Sequence, residues 1–496
     1  MARTLLFVIV IVVFTSSCNI ISKSYNPDRR YTKKQLQQDY TLLRNILEKK
    51  HPSLYWYTSK DSMDYYFDTY YQNIEDSMTE QQFGWKILAP LTNKIHCGHT
   101  SFIMSKHWDR FIIKRTIPSF PLYLKVWNDT MVVIRNLNAK DSIIKKGMLI
   151  TSINGITNKE MIQEMFAYLP VDGYAENVNY IRLSNNFPYF HRNIYGIYKN
   201  YQVDYIDSAG SEKTTLLPLY NLSPEDSALK AKQLKISHKE AKKQYINSFR
   251  SMSIDSSINT AVLTLNTFTK GGGKHLSRFF KRSFRKIKDN KINNLILDLR
   301  SNGGGDVDMF ILLTKYLRNT PFKVGDSTYA ASQSLRPYGK YIKHSWVNDV
   351  GLLFLTKRYA DGKYHYGFYK RHFYQPKAKY HFNGNLYVLI GGATFSASTL
   401  FCNAVKGQSN VKLIGEETGG GWYGNNGIMI PEITLPHTRL RVRLPLFRMV
   451  QYNHVVKDGR GVAPDIIVMP TLESVRKGID RKMEYTKELI RQAAAK

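Results

Sequence analysis

The sequence has few cysteines and lacks long apolar runs. Among its 496 residues there are only three cysteines, and just two, Cys97 and Cys402, follow the N-terminal segment. Two cysteines do not make a disulfide framework, so stability must come from a buried core. Beyond the N-terminus no run approaches the roughly 18 apolar residues that span a membrane. We therefore expect no transmembrane helix after the first residues of the chain.

Acidic residues are also scarce. The chain has 39 of them against 71 lysines and arginines, which gives a formal net charge of +32. A positive field of this size favours nucleic acid, anionic lipid surfaces or acidic peptides as partners. However, the sequence has no zinc-finger spacing, no RNA-binding signature and no heptads after a basic region, so no nucleic acid partner is expected. A generally lysine-rich composition is the alternative explanation.

The N-terminus contains one short apolar segment. Arg3 precedes ten apolar residues, Leu5 to Phe14, and Thr15-Ser-Ser-Cys18 follows. Ten residues are too few to span a bilayer, so the segment indicates a signal peptide. A cysteine directly after small residues resembles the bacterial lipoprotein signal, in which Cys18 is lipidated. This predicts an exported protein, anchored by lipid to a bacterial membrane on its periplasmic or cell-surface side. An ordinary secretory signal with an incidental cysteine is the alternative.

Changes of pattern divide the chain into seven segments. These are a signal peptide (1–17), a tether (18–30), a helical N-terminal domain (31–110), a strand-rich domain (111–217), a basic helical connector (218–255), an α/β domain (256–470) and a C-terminal helix (471–496). In the strand-rich domain, Gly147–Gly155 resembles the stretch of a PDZ domain in which a buried strand ends in an Asn-Gly turn. PDZ-like domains bind peptide ends by strand addition. Any small domain with an Asn-Gly hairpin is the alternative.

The α/β domain is predicted to contain buried strands alternating with helices. The predictions are a strand over Ala261–Leu265, a helix over Lys274–Ile287, strands over Leu295–Leu299 and Leu386–Ile390, and a helix over Ala397–Val405. This order predicts a mainly parallel sheet, whose sites lie beyond the carboxyl ends of the strands. Two glycine-rich turns fall there, Asn302–Gly305 and Gly391–Ser396.

Each turn has more than one interpretation. Ser396 stands at a helix start, where a nucleophilic serine would be activated, but where a helix-capping serine also sits. The G-x-S-x-G elbow is absent. The N–H groups of Gly303–Gly305 could hold an oxyanion or a phosphate, although the lysine and hydroxyl of a P-loop are missing. A bare glycine turn is the third possibility.

Four motifs in fixed order carry a family resemblance. They are Leu295-Ile-Leu-Asp-Leu-Arg-Ser-Asn-Gly-Gly-Gly305, Thr394-Phe-Ser-Ala-Ser398, Gly415-Glu-Glu-Thr418 and Gly461-Val-Ala-Pro-Asp465. With a PDZ-like domain ahead of them, they resemble the S41 family of serine peptidases, the tail-specific and carboxyl-terminal processing proteases. The resemblance implies an α/β fold with a crotonase-like ββα spiral core. It implies Ser396 as the nucleophile, and backbone N–H groups near Gly304 and of Ala397 as the oxyanion hole.

The resemblance also selects the base. Many members use a lysine in a Gly-Glu-Pro-Thr-x-Gly-Lys context, but here Gly421 occupies the lysine position. The branch that includes the tricorn core peptidases uses a histidine ahead of the PDZ-like domain, and Gly98-His99-Thr100 is similar to its Gly-His-Thr. An imidazole pKa of about 6.5 suits this task, so His99 is the implied base. Asp458, three residues before Gly461, is the implied orienting acid.

A metal site is the alternative for the same segment. His96 and His99 can share a helical face, and Cys97 adds a possible ligand. No second cluster completes a four-ligand zinc site and no H-E-x-x-H is present, so no cofactor is expected.

Three functions remain. The first is a serine endopeptidase that cleaves polypeptides near their C-terminal ends. The second is a catalytically inactive lipoprotein that binds peptides or other ligands on the same scaffold. The third is adhesion of a basic lipoprotein to anionic glycan or lipid, which salt would weaken.

Overall fold

The computed structural model describes residues 25–113, 115, 117–138, 140–207, 209–221 and 237–495. The predicted signal peptide, Cys18 and much of the predicted connector lie outside these residues. Within them, every helix is too short or too polar to cross a membrane. The buried apolar residues form three large clusters and a smaller fourth cluster under the C-terminal helix. The cluster of the N-terminal region also includes residues of the C-terminal region, among them Ile433 and Phe447.

The N-terminal region is helical. In chain order its elements are β1 (Arg30–Tyr31), α1 (Lys33–Lys50), α2 (Lys60–Gln72), β2 (Met78–Thr79), α3 (Glu80–Phe83), α4 (Ala89–Asn93), β3 (Phe102–Ile103) and α5 (Lys106–Ile112). A capping box at Thr32 begins α1. Tyr40, Leu43 and Leu47 lie on its buried face, at the three- and four-residue spacing of an amphipathic helix.

The middle region is an antiparallel sheet with two helices. Its elements are β4 (Leu122–Trp127), β5 (Thr130–Asn136), β6 (Leu149–Ile153), β7 (Ile156–Thr157), α6 (Asn158–Phe166), α7 (Asn177–Tyr195), β8 (Asn200–Ile206) and β9 (Glu212–Pro218). The strand order is β4-β5-β6-β8-β9, with β7 paired to β6. The strand predicted before the Asn154-Gly155 turn is β6. Helix α7, which contains Pro188 and non-helical dihedral angles at Asn186, was not predicted.

The C-terminal region is the largest. Its elements are α8 (His238–Asn247), β10 (Arg250–Asp255), β11 (Thr260–Leu265), α9 (Leu276–Asp289), β12 (Asn294–Asp298), α10 (Val307–Leu317), β13 (Gly325–Ala330), α11 (Ser345–Leu355), β14 (Lys357–Arg358), β15 (Tyr364–His365), α12 (Phe368–Arg371), β16 (Asn385–Ile390), α13 (Ala397–Val405), β17 (Val411–Gly415), β18 (Gly424–Ile428), β19 (Glu432–Thr434), β20 (Arg441–Arg443), β21 (Phe447–Gln451), β22 (Ile466–Ile467), α14 (Leu472–Lys477) and α15 (Arg481–Ala494).

Its central sheet has the order β10-β11-β12-β16-β17-β22. Within this sheet, β11, β12, β16, β17 and β22 run parallel, as predicted. Strand β10 is an antiparallel strand at the edge. The predicted strands coincide with β11, β12 and β16 to within one residue at each end. One boundary was wrong: residues 250–255, assigned to the helical connector, form β10. The alternating half-buried residues of that strand pair with β11 instead of continuing a helix.

A small sheet joins the N-terminal region to the C-terminal region. Strand β3 pairs with β20, and β20 pairs with β19. In addition, the buried carboxylate of Asp39 accepts hydrogen bonds from the backbone N–H groups of His437 and Thr438. Residues shortly before β3 are therefore held against the C-terminal region, where the glycine-rich turns lie.

Candidate active site

Ser396 stands between a buried strand and a helix. It follows β16 and immediately precedes α13, with φ 55° and ψ −120°. This is a strained conformation for a residue with a side chain, and such strain concentrates at functional sites. Its side chain makes no capping hydrogen bond to α13. The helix-cap interpretation of Ser396 is therefore wrong for this structure.

His99 lies beside Ser396. The two residues are 297 positions apart in sequence, yet Nε2 of His99 is 3.1 Å from Oγ of Ser396. The imidazole is only 7% exposed and packs on the ring of Phe395, with a centroid separation of 4.8 Å. A hydroxyl and an imidazole at this distance can exchange a proton. The structure thus brings together the two residues that the sequence singled out as nucleophile and base.

The carboxylate next to His99 belongs to Asp172, which the sequence analysis missed. Its Oδ1 lies 3.6 Å from Nδ1 of His99 and accepts a 2.7 Å hydrogen bond from the N–H of Gly98. Asp172 is 3% exposed, and neither its Oδ2 nor Nδ1 of His99 has a hydrogen-bond partner among the described residues. The two unsatisfied atoms belong to neighbouring groups, and buried polar atoms are normally hydrogen-bonded.

Asp458, the acid named from the sequence, lies elsewhere. It is exposed, and its Oδ1 accepts a hydrogen bond from the N–H of Arg460. Its loop nevertheless contacts the loop of Asp172, since the N–H of Tyr174 donates to the carbonyl of Gly459. The carboxylate beside His99 therefore comes from the adjacent loop, that of Asp172. The Asp458 side chain instead binds the backbone of its own loop.

Three glycines keep this space open. A Cβ on Gly427 would lie 3.0 Å from Oγ of Ser396 and 3.3 Å from Nε2 of His99. A Cβ on Gly98 would lie 2.8 Å from the ring of Phe395. At Gly421, where related enzymes carry a lysine, a Cβ would lie 2.8 Å from the carbonyl oxygen of Gly424. A lysine side chain starting there would meet the backbone of β18.

Comparison with known proteins identifies a family over part of the chain. Residues 259–468 match the model of peptidase family S41. These residues belong to family S41. A search of curated proteins found no match. The chain is a serine-type peptidase by this membership, and it has the mixed α/β fold of S41 peptidases.

Solved structures agree on the fold. Mature CPAF complexed with lactacystin is similar, with a TM-score of 0.64 and 13% identity over 93% of this chain and 98% of that chain. A second structure of mature CPAF gives a TM-score of 0.62 with 13% identity, over 93% and 97% of the two chains.

In the S41 domain, the glycine turn after β12 lies against the serine turn. A Cβ on Gly304 would lie 2.8 Å from Cβ of Ser396 and 2.9 Å from N of Ala397, so only glycine fits. The N–H of Gly304 donates to Oδ1 of Asn302. Ala397 is the first residue of α13, and the N–H of a first helical residue has no acceptor within its helix.

The candidate site also contains two of the three residues of the metal alternative. Ligand atoms of Cys97, His99 and Asp172 lie within 4.8 Å of one another. His96 is not part of this group, because its Nδ1 lies 2.8 Å from the carbonyl oxygen of Gly173. Burial raises the pKa of the Cys97 thiol to about 12, so the thiol stays protonated and is a poor ligand. The donor set is better suited to proton transfer than to a metal.

A cleft of about 530 Å³ opens over these residues. Its walls include Ser396, His99, the Gly303–Gly305 turn, Ile430 and Arg443. The cleft gives a peptide access to Oγ of Ser396. Asp465 is remote from it: its carboxylate accepts from the N–H of Leu413 and pairs with Lys406, a structural role at the base of β17.

Proposed function

We propose that the protein is an endopeptidase with Ser396 as nucleophile, His99 as general base and Asp172 as the group that orients the imidazole. The observation that carries the proposal is the 3.1 Å separation between Nε2 of His99 and Oγ of Ser396. In this mechanism Oγ attacks the scissile carbonyl carbon while Nε2 takes the hydroxyl proton. The imidazolium then donates that proton to the leaving amine.

The negative charge that develops on the carbonyl oxygen needs N–H donors. The N–H of Ala397 and an N–H from the Gly304 turn are our candidates, since both turns meet at Ser396. The N–H of Gly304 would have to leave Oδ1 of Asn302 as substrate binds. Hydrolysis of the acyl-enzyme follows the same path, with His99 now activating water.

The remaining features form part of the same proposal. The C-terminal region has the crotonase-like core of the family, and the middle region is a PDZ-like domain that binds polypeptide near its C-terminal end. Antiparallel strands β5, β6 and β8 with the adjoining α6 support the second assignment. Export and a lipid anchor at Cys18 complete the proposal. They rest on the N-terminal sequence, which lies outside the described residues.

A serine-directed phosphonate probe tests the nucleophile. The purified chain should react covalently at Ser396, and Ser396→Ala should abolish labelling and peptide hydrolysis. Labelling of Ser396→Ala to the same extent would disprove the assignment of Ser396.

An inactive binding protein is the second candidate. It is favoured by the 3.6 Å gap between His99 and Asp172, which exceeds a hydrogen bond, and by the engaged N–H of Gly304. The experiment that separates the two is hydrolysis by the wild type compared with His99→Ala. Turnover that His99→Ala removes excludes the inactive protein, whereas binding without turnover in the wild type excludes the peptidase.

A further inference from the structure

A second cavity adjoins the catalytic cleft where the N-terminal region meets helix α7. It encloses about 480 Å³, and aromatic side chains make up much of its wall, among them Trp85, Phe102, Trp108, Tyr189 and Phe190. Trp85 contacts Phe102, Tyr189 and Phe190 edge to face at 5.3 to 6.3 Å, so the wall is a connected aromatic cluster. Cavities of this size and character hold large apolar groups.

The two cavities share a wall residue. Arg443, the last residue of β20, lines both the catalytic cleft and the aromatic cavity. Its N–H donates to the carbonyl of Ser101 at 3.0 Å, and Ser101 follows His99 by two residues. The aromatic cavity and the catalytic cleft are therefore adjacent at Arg443, close to the segment that carries His99.

Two guanidinium groups line the aromatic cavity without an acidic partner. Arg182 donates to the carbonyl of Pro170 and to Oδ1 of Asn179, both of them neutral acceptors. Among the described residues, no ion pair involves Arg182 or the exposed Arg443. Their neighbour Arg441 is different, because Asp109 and Glu432 both pair with it. Asp109 also lines the cavity, but it is paired with Arg441, so Arg182 and Arg443 leave the cavity wall with a net positive charge.

The electrostatics of Arg182 agree with this picture. Loss of water lowers the pKa of its guanidinium to about 10; the negative charge of Asp172 opposes that shift, and the positive charge of Arg443 adds to it. The two arginines line the same cavity, and their positive charges repel each other. An anion placed between them would be stabilised by both, and a planar carboxylate matches the fork of N–H groups on each guanidinium.

We propose that the aromatic cavity is a specificity subsite that takes a large apolar or aromatic side chain of the polypeptide together with a neighbouring carboxylate, which Arg443 and Arg182 bind. Cleavage of the bound polypeptide rests on the proposed function, whereas the subsite itself concerns only binding. The carboxylate belongs to one of two groups: the free C-terminus of the polypeptide, or an aspartate or glutamate side chain beside the apolar residue.

Peptide binding to the full-length Ser396→Ala variant tests the subsite without turnover. The first pair of fluorescent probes ends in phenylalanine, either as the free acid or as the amide. The second pair is amidated and has aspartate or asparagine beside phenylalanine. Each probe is also made with alanine in place of phenylalanine. Free-acid binding above that of the amide identifies the C-terminus as the source. Aspartate binding above asparagine identifies the side chain.

Further variants in the same background locate the contacts. Arg443→Gln should weaken binding of the preferred carboxylate peptide by roughly tenfold or more, since a charge-assisted hydrogen bond is lost, and leave the neutral peptides unchanged. Tyr189→Ala should weaken the phenylalanine peptides more than the alanine peptides. Arg439→Gln, an exposed arginine ahead of β20 that lines neither cavity, is the matched control and should change nothing.

Equal binding of all peptides, or an equal loss for charged and neutral peptides in Arg443→Gln, would overturn the subsite. Because the measurement is binding to an inactive variant, such a result leaves the nucleophile assignment intact. Conversely, a wild type that does not hydrolyse any of these peptides contradicts the proposed function while the binding preferences still decide the subsite. Thermal melting of each variant shows that it is folded.

Discussion

Replacing Asp172 by asparagine tests the least expected member of the candidate site. The substitution keeps the size of the side chain and an oxygen to accept from the N–H of Gly98, but it removes the negative charge 3.6 Å from Nδ1 of His99. The charge matters most when the imidazole becomes positive in the transition state. An amide at this position can also donate to Nδ1, which would hold the imidazole in the tautomer that cannot act as base.

The size of the effect follows from the distance. Two unit charges 3.6 Å apart at an effective dielectric constant of about 20 attract by roughly 5 kcal/mol. Since each 1.36 kcal/mol is tenfold in rate, kcat/KM should fall by about three orders of magnitude in Asp172→Asn. Binding of substrate should change little, because Asp172 is buried behind His99 and is not among the residues that line the cleft.

The assay compares kcat/KM of the wild type, Asp172→Asn and Asp458→Asn on one quenched fluorescent peptide. Asp458 is exposed and contacts its own backbone, so Asp458→Asn should stay within about twofold of the wild type, as most surface substitutions do. Thermal melting establishes that both variants are folded. The reasoning is refuted if Asp458→Asn loses activity and Asp172→Asn keeps it, which would restore the acid named from the sequence.

Three further predictions concern the same site and its surroundings. Gly427→Ala places a methyl group 3.0 Å from Oγ of Ser396, so hydrolysis should fall roughly tenfold or more with little change in melting temperature; unchanged hydrolysis would contradict the close approach. Ser396→Gly should be about 1 kcal/mol more stable to urea than Ser396→Ala, because only glycine relieves the strain at φ 55°; equal stability would argue against strain. Burial lowers the pKa of His51 to about 3 from 6.5. Its contribution to stability is complete above pH 6.5 and is lost as the pH falls towards 3, at about 1.4 kcal/mol per pH unit. Between pH 6.5 and pH 5 the urea stability should therefore drop by about 2 kcal/mol more in the wild type than in His51→Gln, and parallel pH profiles would refute the assignment.

Much of the core was predictable from the sequence. Buried parallel strands have short continuous apolar runs in sequence. The runs Leu295–Leu299 and Leu386–Ile390 match the bounds of β12 and β16 to within one residue. Helix α7 was missed because Pro188 and the non-helical Asn186 interrupt its pattern. Strands β18 to β21 were missed for a different reason. They are short, and β20 and β21 also pair with the distant strands β3 and β13, which leaves a weak local pattern.

The site was predictable to the extent that motifs mark it. Ser396 and His99 were named from motifs and their order, and the structure brings them within 3.1 Å of each other. Asp172 carries no such mark. Locally it is the aspartate of an Asp-Gly turn, and its position is defined only by tertiary contacts, the N–H of Gly98 above all. The acid named from the resemblance to a family motif therefore lies on the adjacent loop, which contacts the loop of Asp172 at Tyr174 and Gly459.

The candidate triad is assembled from three regions of the chain, and this determines what controls it. Ser396 belongs to the C-terminal region, His99 to the N-terminal region and Asp172 to the middle region. Pairing of β3 with β20 fixes His99 against Ser396, whereas the backbone of His96 and Gly98 is hydrogen-bonded to the loop of Asp172. The 3.6 Å distance between His99 and Asp172 thus depends on how the middle region packs against the N-terminal region. A fault in the packing of the middle region against His96 would lengthen it and reduce catalysis without touching the cleft, because a misplacement of about 1 Å is enough to cost two orders of magnitude in rate.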